Sequence, residues 1–170
     1  MNVVIHQAKV TDIPVIEAIL KDVVCWMDDS GMHQWKHEDV KWNDLSKYFA
    51  ASDFYIAYVD HTPAACMALV DYDPQYWPDI PLGESLFLHK VAVKRDFSGK
   101  GISKALIDFA KQKAKGLGMQ AIRLDCNQSR HKVRAVYEKQ GFVCVEEKTL
   151  FGYYHAALYA CNVSSILDPV

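Results

Sequence analysis

Apolar residues in this chain recur with two different periods, and the changes of period mark out its elements. Residues 3–8 are short and β-branched, which predicts a strand. Across residues 13–27, Ile16, Ile19, Leu20, Val23, Val24 and Met27 fall three, four and one apart, so a helix with one buried face is expected there. Thr11-Asp12 precedes it as a cap, Pro14 suits its first turn, and Asp28-Asp29-Ser30-Gly31 ends it. A second helix is expected between His37 and Tyr48. Residues 54–59 and 64–70 predict two strands joined by the polar turn Asp60-His61-Thr62-Pro63, hence an antiparallel hairpin. Pro74, Pro78 and Pro81 exclude a central strand over residues 71–83, because proline cannot donate to the ladder. Tyr72, Tyr76 and Trp77 make that stretch an aromatic loop.

The second half alternates strand and helix. Leu86, Leu88, Val91 and Val93 lie in an extended apolar run, whereas Ile102, Leu106, Phe109 and Ala110 keep helical spacing. Between them stands Arg95-Asp96-Phe97-Ser98-Gly99-Lys100-Gly101. Gly116 and Gly118 stop this helix, and residues 121–126 are the next strand, parallel to residues 86–93 because a helix intervenes. A helix over residues 130–140 carries Val133, Val136 and Tyr137 on one face and ends at Gly141. Residues 142–149 and 153–162 close the chain as a hairpin around Leu150-Phe151-Gly152. The order of elements predicts a mixed α/β sheet flanked by helices, in one domain over residues 1–170.

Composition narrows the partners. At 170 residues the chain suits one core, and 51% hydrophobic with 24% charged residues is ordinary globular usage. A net charge of -2 argues against a nucleic-acid partner. No apolar run approaches the roughly 18 residues of a membrane span, so no membrane partner is expected. Five cysteines, widely spaced and without a C-x-x-C pair, suggest neither a disulfide scaffold nor a zinc site, and no metal is expected. Reduced cysteines and an amino terminus unlike a signal peptide make the cytoplasm the expected location.

Alternate glycines let a backbone turn sharply and approach a ligand, and a helix starting near Ile102 leaves its first N–H groups unpaired. Phosphate is the natural partner of such groups, although a plain tight connection accounts for the same glycines. Two nucleotide motifs fail on spacing. The dinucleotide fingerprint needs a third glycine, and a P-loop needs four residues before Gly-Lys-Ser/Thr, whereas here Lys100 lies between the glycines.

The strand LHKVAV before this turn, and IRLDC with VYEKQGF after it, give a stretch that resembles the GNAT superfamily of N-acetyltransferases. The family's motif A reads Arg/Gln-x-x-Gly-x-Gly/Ala; residues 96–101 fill that frame, with Asp96 where Arg or Gln is usual. The resemblance implies the GNAT fold, a central, mostly antiparallel mixed sheet with one parallel strand pair. It also implies acetyl-CoA as co-substrate, held in a gap between the parallel strands. The pyrophosphate would lie on N–H groups of Ser98, Gly99, Lys100, Gly101, Ile102, Ser103 and Lys104, and the pantetheine arm along Val91, Ala92 and Val93. Arg130 stands seven residues before Tyr137, where the family often has a cofactor-binding asparagine; it meets either a cofactor phosphate or solvent.

For chemistry, the resemblance implies Tyr137 as the general acid that protonates the departing thiolate, while its helical spacing is equally that of a core aromatic. Glu84 is the candidate base and His89 its rival; a solvated carboxylate and a packing histidine are the plain readings. Residues 27–42 and 71–83 would build the acceptor pocket, with Trp26, Trp35, Tyr76 and Trp77 as walls unless each is simply core. Gly31-Met32-His33-Gln34-Trp35 resembles a G-x-x-Q-W element of one bacterial-type branch. The implied reaction is acetyl transfer to a primary amine of a small-molecule acceptor by direct attack, without a cysteine intermediate. A protein or peptide amino group as acceptor, or a non-catalytic acyl-CoA sensor, is the alternative. The edge of the closing hairpin offers a surface for a homodimer.

Overall fold

The β-branched runs form the strands and the glycines end the helices, in a computed structural model that describes residues 1–168. The strands are β1 (Val3–Gln7), β2 (Phe54–Val59), β3 (Thr62–Val70), β4 (Ser85–Val93), β5 (Ala121–Asn127), β6 (Val143–Leu150) and β7 (Tyr154–Asn162). They make one sheet in the order β1-β2-β3-β4-β5-β7-β6. β1–β2, β2–β3, β5–β7 and β6–β7 are antiparallel. β4 and β5 are parallel, with Ser85, Leu86 and Phe87 opposite Ala121, Ile122 and Arg123. The helices are α1 (Ile13–Asp29), α2 (Trp42–Leu45), α3 (Ile102–Gly116) and α4 (His131–Glu138). The parallel pair follows from α3, since only a crossover can return a strand in the same direction. The expected mixed, mostly antiparallel sheet with one parallel pair is therefore present.

Two compact units divide the chain. The first holds Met1–Leu69 and His89–Phe109, the second Val70–Leu88 and the residues from Ala110 onward, so β4 contributes to both. In the first, Ile16, Ile19, Leu20 and Val24 of α1 are fully enclosed with Phe54, Ile56, Cys66, Ala68 and Ala92. Each large aliphatic or aromatic side chain so buried contributes about 1.5–3 kcal/mol. In the second, Trp77, Phe87, Ala156 and Leu158 form a smaller cluster, with Tyr76, Ile80 and Tyr154 packed against it.

Local chemistry moves several boundaries. The β2–β3 turn is only Asp60-His61, both left-handed at φ 46° and 70°, which suits a two-residue hairpin. Thr62 and Pro63 belong to β3, and Pro63 sits opposite Tyr58 at a register shift, where a missing N–H is tolerated. The helix expected between His37 and Tyr48 is a 3-10 turn at Glu38–Val40 followed by the single turn of α2. Asp12 does not cap α1 with its side chain; its carboxylate accepts from the Lys9 N–H at 2.8 Å and caps the preceding 3-10 turn. Arg130 lies outside α4 as its cap residue, and Gly141 is left-handed at φ 85°, as a helix stop requires.

Candidate active site

The turn after β4 is built to leave main-chain groups uncovered. A 3-10 turn at Arg95–Phe97 leads into Ser98, and Gly99 and Gly101 follow with φ 75° and 78°. Left-handed backbone is the reason for both glycines, because a Cβ at either would meet nothing within 4 Å. That open space leaves the surface above the backbone clear. α3 starts at Ile102, and Ala105 donates back to the Gly101 carbonyl at 3.1 Å, so the amides before Ala105 belong to the first turn, where helices lack donors' partners. Ser98 departs from expectation. Its N–H donates to the Arg95 carbonyl at 3.0 Å, which removes it from the set of amides available to a phosphate, and its hydroxyl accepts from Arg95 Nη1 at 3.4 Å. Lys104 pairs with Asp108, one turn further along α3, at 2.5 Å, and Lys100 lies 5.3 Å from the Phe97 ring centre, so Lys100 is the cation beside the turn.

Val91 and Val93 are half-buried in β4, with Ala92 buried between them. Lys94, just beyond the strand, donates its N–H to the Ala64 carbonyl at 2.9 Å. Just ahead of these residues is a feature that sequence reasoning missed: Lys90 is left-handed, at φ 52°, inside the strand. Such a conformation costs a non-glycine residue about 1–2 kcal/mol and clusters at functional sites. Nothing in the composition of β4 signals it, because lysine has no preference for that region. The Lys90 ammonium lies 4.8 Å from the Trp35 ring centre, and His89 packs on Phe49 with centroids 5.7 Å apart. His33 and His37, four residues apart, both close on Asp28, at 3.2 and 3.0 Å, and so fold the segment after α1 back onto the helix end. The sequence reading passed over this pair. Trp26 faces a different neighbour, the Arg95 guanidinium, 4.6 Å from its ring centre.

In the second unit Tyr137 is half-buried on α4 and meets Phe142 edge-on at 5.8 Å. Its helix is anchored by side chains. Arg134 Nε donates to the Tyr159 hydroxyl at 2.8 Å, that hydroxyl donates to Glu138 at 2.7 Å, and Arg134 pairs with Glu147 at 2.6 Å. Lys111 of α3 donates to the Gln140 carbonyl at the other end of α4. Desolvation pushes the Tyr137 phenol above the usual tyrosine range, with Cys126 and Asp125 adding to it and Arg130 opposing. The phenol therefore stays protonated at neutral pH. Burial likewise raises the Cys126 thiol to about 11, which makes it a poor nucleophile.

Glu84 and Tyr137 are not brought together. The Glu84 carbonyl accepts from Gln120 N–H at the start of β5, whereas Tyr137 feels Asp125 and Cys126 near its end. Six residues of extended chain separate those points by about 20 Å. The Glu84 carboxylate pairs with Arg123 at 3.2 Å, and Arg123 Nε donates to the buried Ser85 hydroxyl at 3.0 Å. That is a clamp on the strand ends. Trp77 is 6% exposed, packs on Phe87 and carries the Arg123 guanidinium over its ring at 5.0 Å, so it belongs to the core. Tyr76 stands perpendicular to Phe151 and Tyr154, at 5.4 and 6.3 Å.

A left-handed glycine pair between strand and helix, followed by a second strand and the VYEKQGF helix, is also where known proteins match. Residues 18–142 match the acetyltransferase (GNAT) family. The chain belongs to that family.

GNAT relatives agree over three quarters of the chain or more. The uncharacterized N-acetyltransferase YesJ of Bacillus subtilis is 26% identical over 139 residues, 77% of this chain and 76% of its own. A GNAT-family acetyltransferase from Listeria monocytogenes has a TM-score of 0.77 and 24% identity, covering 94% of each chain. The PaiA N-acetyltransferase from Thermoplasma acidophilum, solved with coenzyme A, has a TM-score of 0.72 and 18% identity over 95% of this chain and 99% of its own. This GNAT chain is therefore an acyltransferase by family. Among the described residues no helix is long and apolar enough to cross a membrane, and no group of three or more His, Cys, Asp or Glu could hold a metal.

Proposed function

We propose that this chain works as a single acetyl-CoA-dependent N-acetyltransferase domain acting on the primary amine of a small molecule. The observation that carries this reading is the Gly99–Gly101 turn, with left-handed φ at both glycines and open space above them. Amides of Gly99, Lys100, Gly101, Ile102, Ser103 and Lys104 hold the diphosphate, and the positive end of α3 adds to the attraction. Main-chain groups of Val91, Ala92 and Val93 take the pantetheine arm. The solved PaiA relative, with coenzyme A, supports the choice of cofactor.

The amine nitrogen attacks the thioester carbonyl; a C–N bond forms and the C–S bond breaks. Tyr137 gives its proton to the departing thiolate, and the phenolate recovers one from the nitrogen. The phenol holds its proton at neutral pH, so the donor form is the one present when the thiolate departs. Arg130, whose charge opposes that shift, stabilises the developing thiolate. Glu84, held by Arg123, serves as a clamp, and solvent removes the ammonium proton before attack. Trp35, which lies under the Lys90 ammonium, contributes to the acceptor site. Five free cysteines support a reducing cytoplasm as the location.

The test is a panel of small amines and peptides incubated with acetyl-CoA, read by thiol release. Turnover with small primary amines is expected. Turnover with peptides alone would move the acceptor to proteins, and coenzyme A binding without turnover would make the chain a sensor.

A further inference from the structure

Two residues of α1 are spent on the turn rather than on an acceptor. Asp22 and Trp26 stand four apart and so share one helix face. The Asp22 carboxylate accepts from the Arg95 main-chain N–H at 2.8 Å and fixes the start of the 3-10 turn. The Trp26 ring lies 4.6 Å from the Arg95 guanidinium carbon, and the same guanidinium donates to the Ser98 hydroxyl at 3.4 Å. One face of a planar cation is thus covered by indole and one edge is turned to the residue before Gly99, while Arg95 as a whole remains exposed. A flexible arginine on a loop would otherwise sample many rotamers, and stacking removes most of that freedom before any ligand arrives.

We propose that Trp26 is a positioning residue for the diphosphate turn: its indole holds Arg95 against Ser98, so that a fixed cation stands beside the amides that receive the phosphates. This rests on the functional reading above and reassigns Trp26, which sequence spacing made a wall of the acceptor pocket.

The test uses the whole chain, with coenzyme A binding by calorimetry and transfer from two donors, acetyl-CoA and acetyl-pantetheine, to the best amine of the panel. W26L raises the coenzyme A Kd and the acetyl-CoA KM about two- to fivefold. R95A raises both about tenfold or more. W26F retains near wild-type values, because phenyl still stacks a guanidinium. The W26L/R95A double variant is no worse than R95A, since Trp26 acts through Arg95. Transfer from acetyl-pantetheine, which lacks the diphosphate, is unchanged by W26L, as is the acceptor KM. A rise in acceptor KM with both donors, or additive effects in the double variant, would overturn the proposal and return Trp26 to the acceptor site. If W26L does not fold, R95K carries the test: a lysine lacks the planar face that stacks on Trp26, so a coenzyme A Kd raised nearly as far as in R95A is expected, and a wild-type Kd in R95K would overturn the proposal. Wild-type protein that binds no coenzyme A would overturn the functional reading itself, a result distinguishable from a wild type that binds and a W26L that acts elsewhere.

Discussion

In the proposed site the Gly99–Gly101 turn serves through main-chain amides, whereas Tyr137 serves through its side chain. The turn needs only the right handedness of two residues and a helix behind it, so Asp96 can stand where the family has Arg or Gln without closing the site. Tyr137 is the opposite case. Its placement depends on Arg134, Tyr159, Glu138 and Glu147, a chain of specific hydrogen bonds across α4, β6 and β7. Binding built on backbone tolerates substitution of side chains; proton transfer built on one phenol does not. Variants should therefore separate affinity from turnover.

The largest effect expected is on turnover. Y137F should lower kcat about a hundredfold or more while leaving coenzyme A affinity unchanged, measured by thiol release and calorimetry. A parallel loss of affinity would mean that the ring serves packing alone. Next, G101A forces a Cβ into left-handed backbone at a cost of about 1–2 kcal/mol, so coenzyme A affinity should fall about tenfold with kcat at saturation retained. Should kcat collapse instead, the division between the two regions is lost. Lys90 sharpens the comparison within β4. K90G should raise the urea midpoint, because glycine relieves the left-handed cost that lysine bears, and K90V should lower it, because a β-branched side chain is more crowded than lysine at φ 52°.

The last effect concerns pH. Burial raises the Cys66 thiol from 9.0 to about 12 and the Cys126 thiol from 9.0 to about 11. The folded chain keeps these protons while the unfolded chain releases them near pH 9, so their contribution is complete below pH 9 and is lost as pH rises through 11 and 12. Urea midpoints should decline across that window, and the decline should flatten in C66A/C126A.

Most of the fold was legible because its signals are local. Helical spacing fixed α1 and α3 to within two residues, and the glycines at 99, 101 and 141 announced the turns that require left-handed backbone. The strand-helix-strand order was enough to pair β4 with β5. What sequence could not supply was anything set by tertiary packing. Trp77 and Tyr76 are neighbours in one aromatic loop, yet one is core and the other half-buried against a hairpin tip. Glu84 reads as a lone loop carboxylate because its partner, Arg123, is 39 positions away. Lys90 carries no sign of its conformation, and the Ser98 amide is consumed by a 3-10 turn too short to leave a periodic pattern.

Amide shifts during a coenzyme A titration of the nitrogen-15-labelled chain test the central claim most directly. The N–H signals of Gly99, Lys100, Gly101, Ile102, Ser103 and Lys104 should move downfield together, at one apparent Kd, while that of Ser98, already bonded to the Arg95 carbonyl, moves least. Binding that leaves those six signals in place would contradict the account.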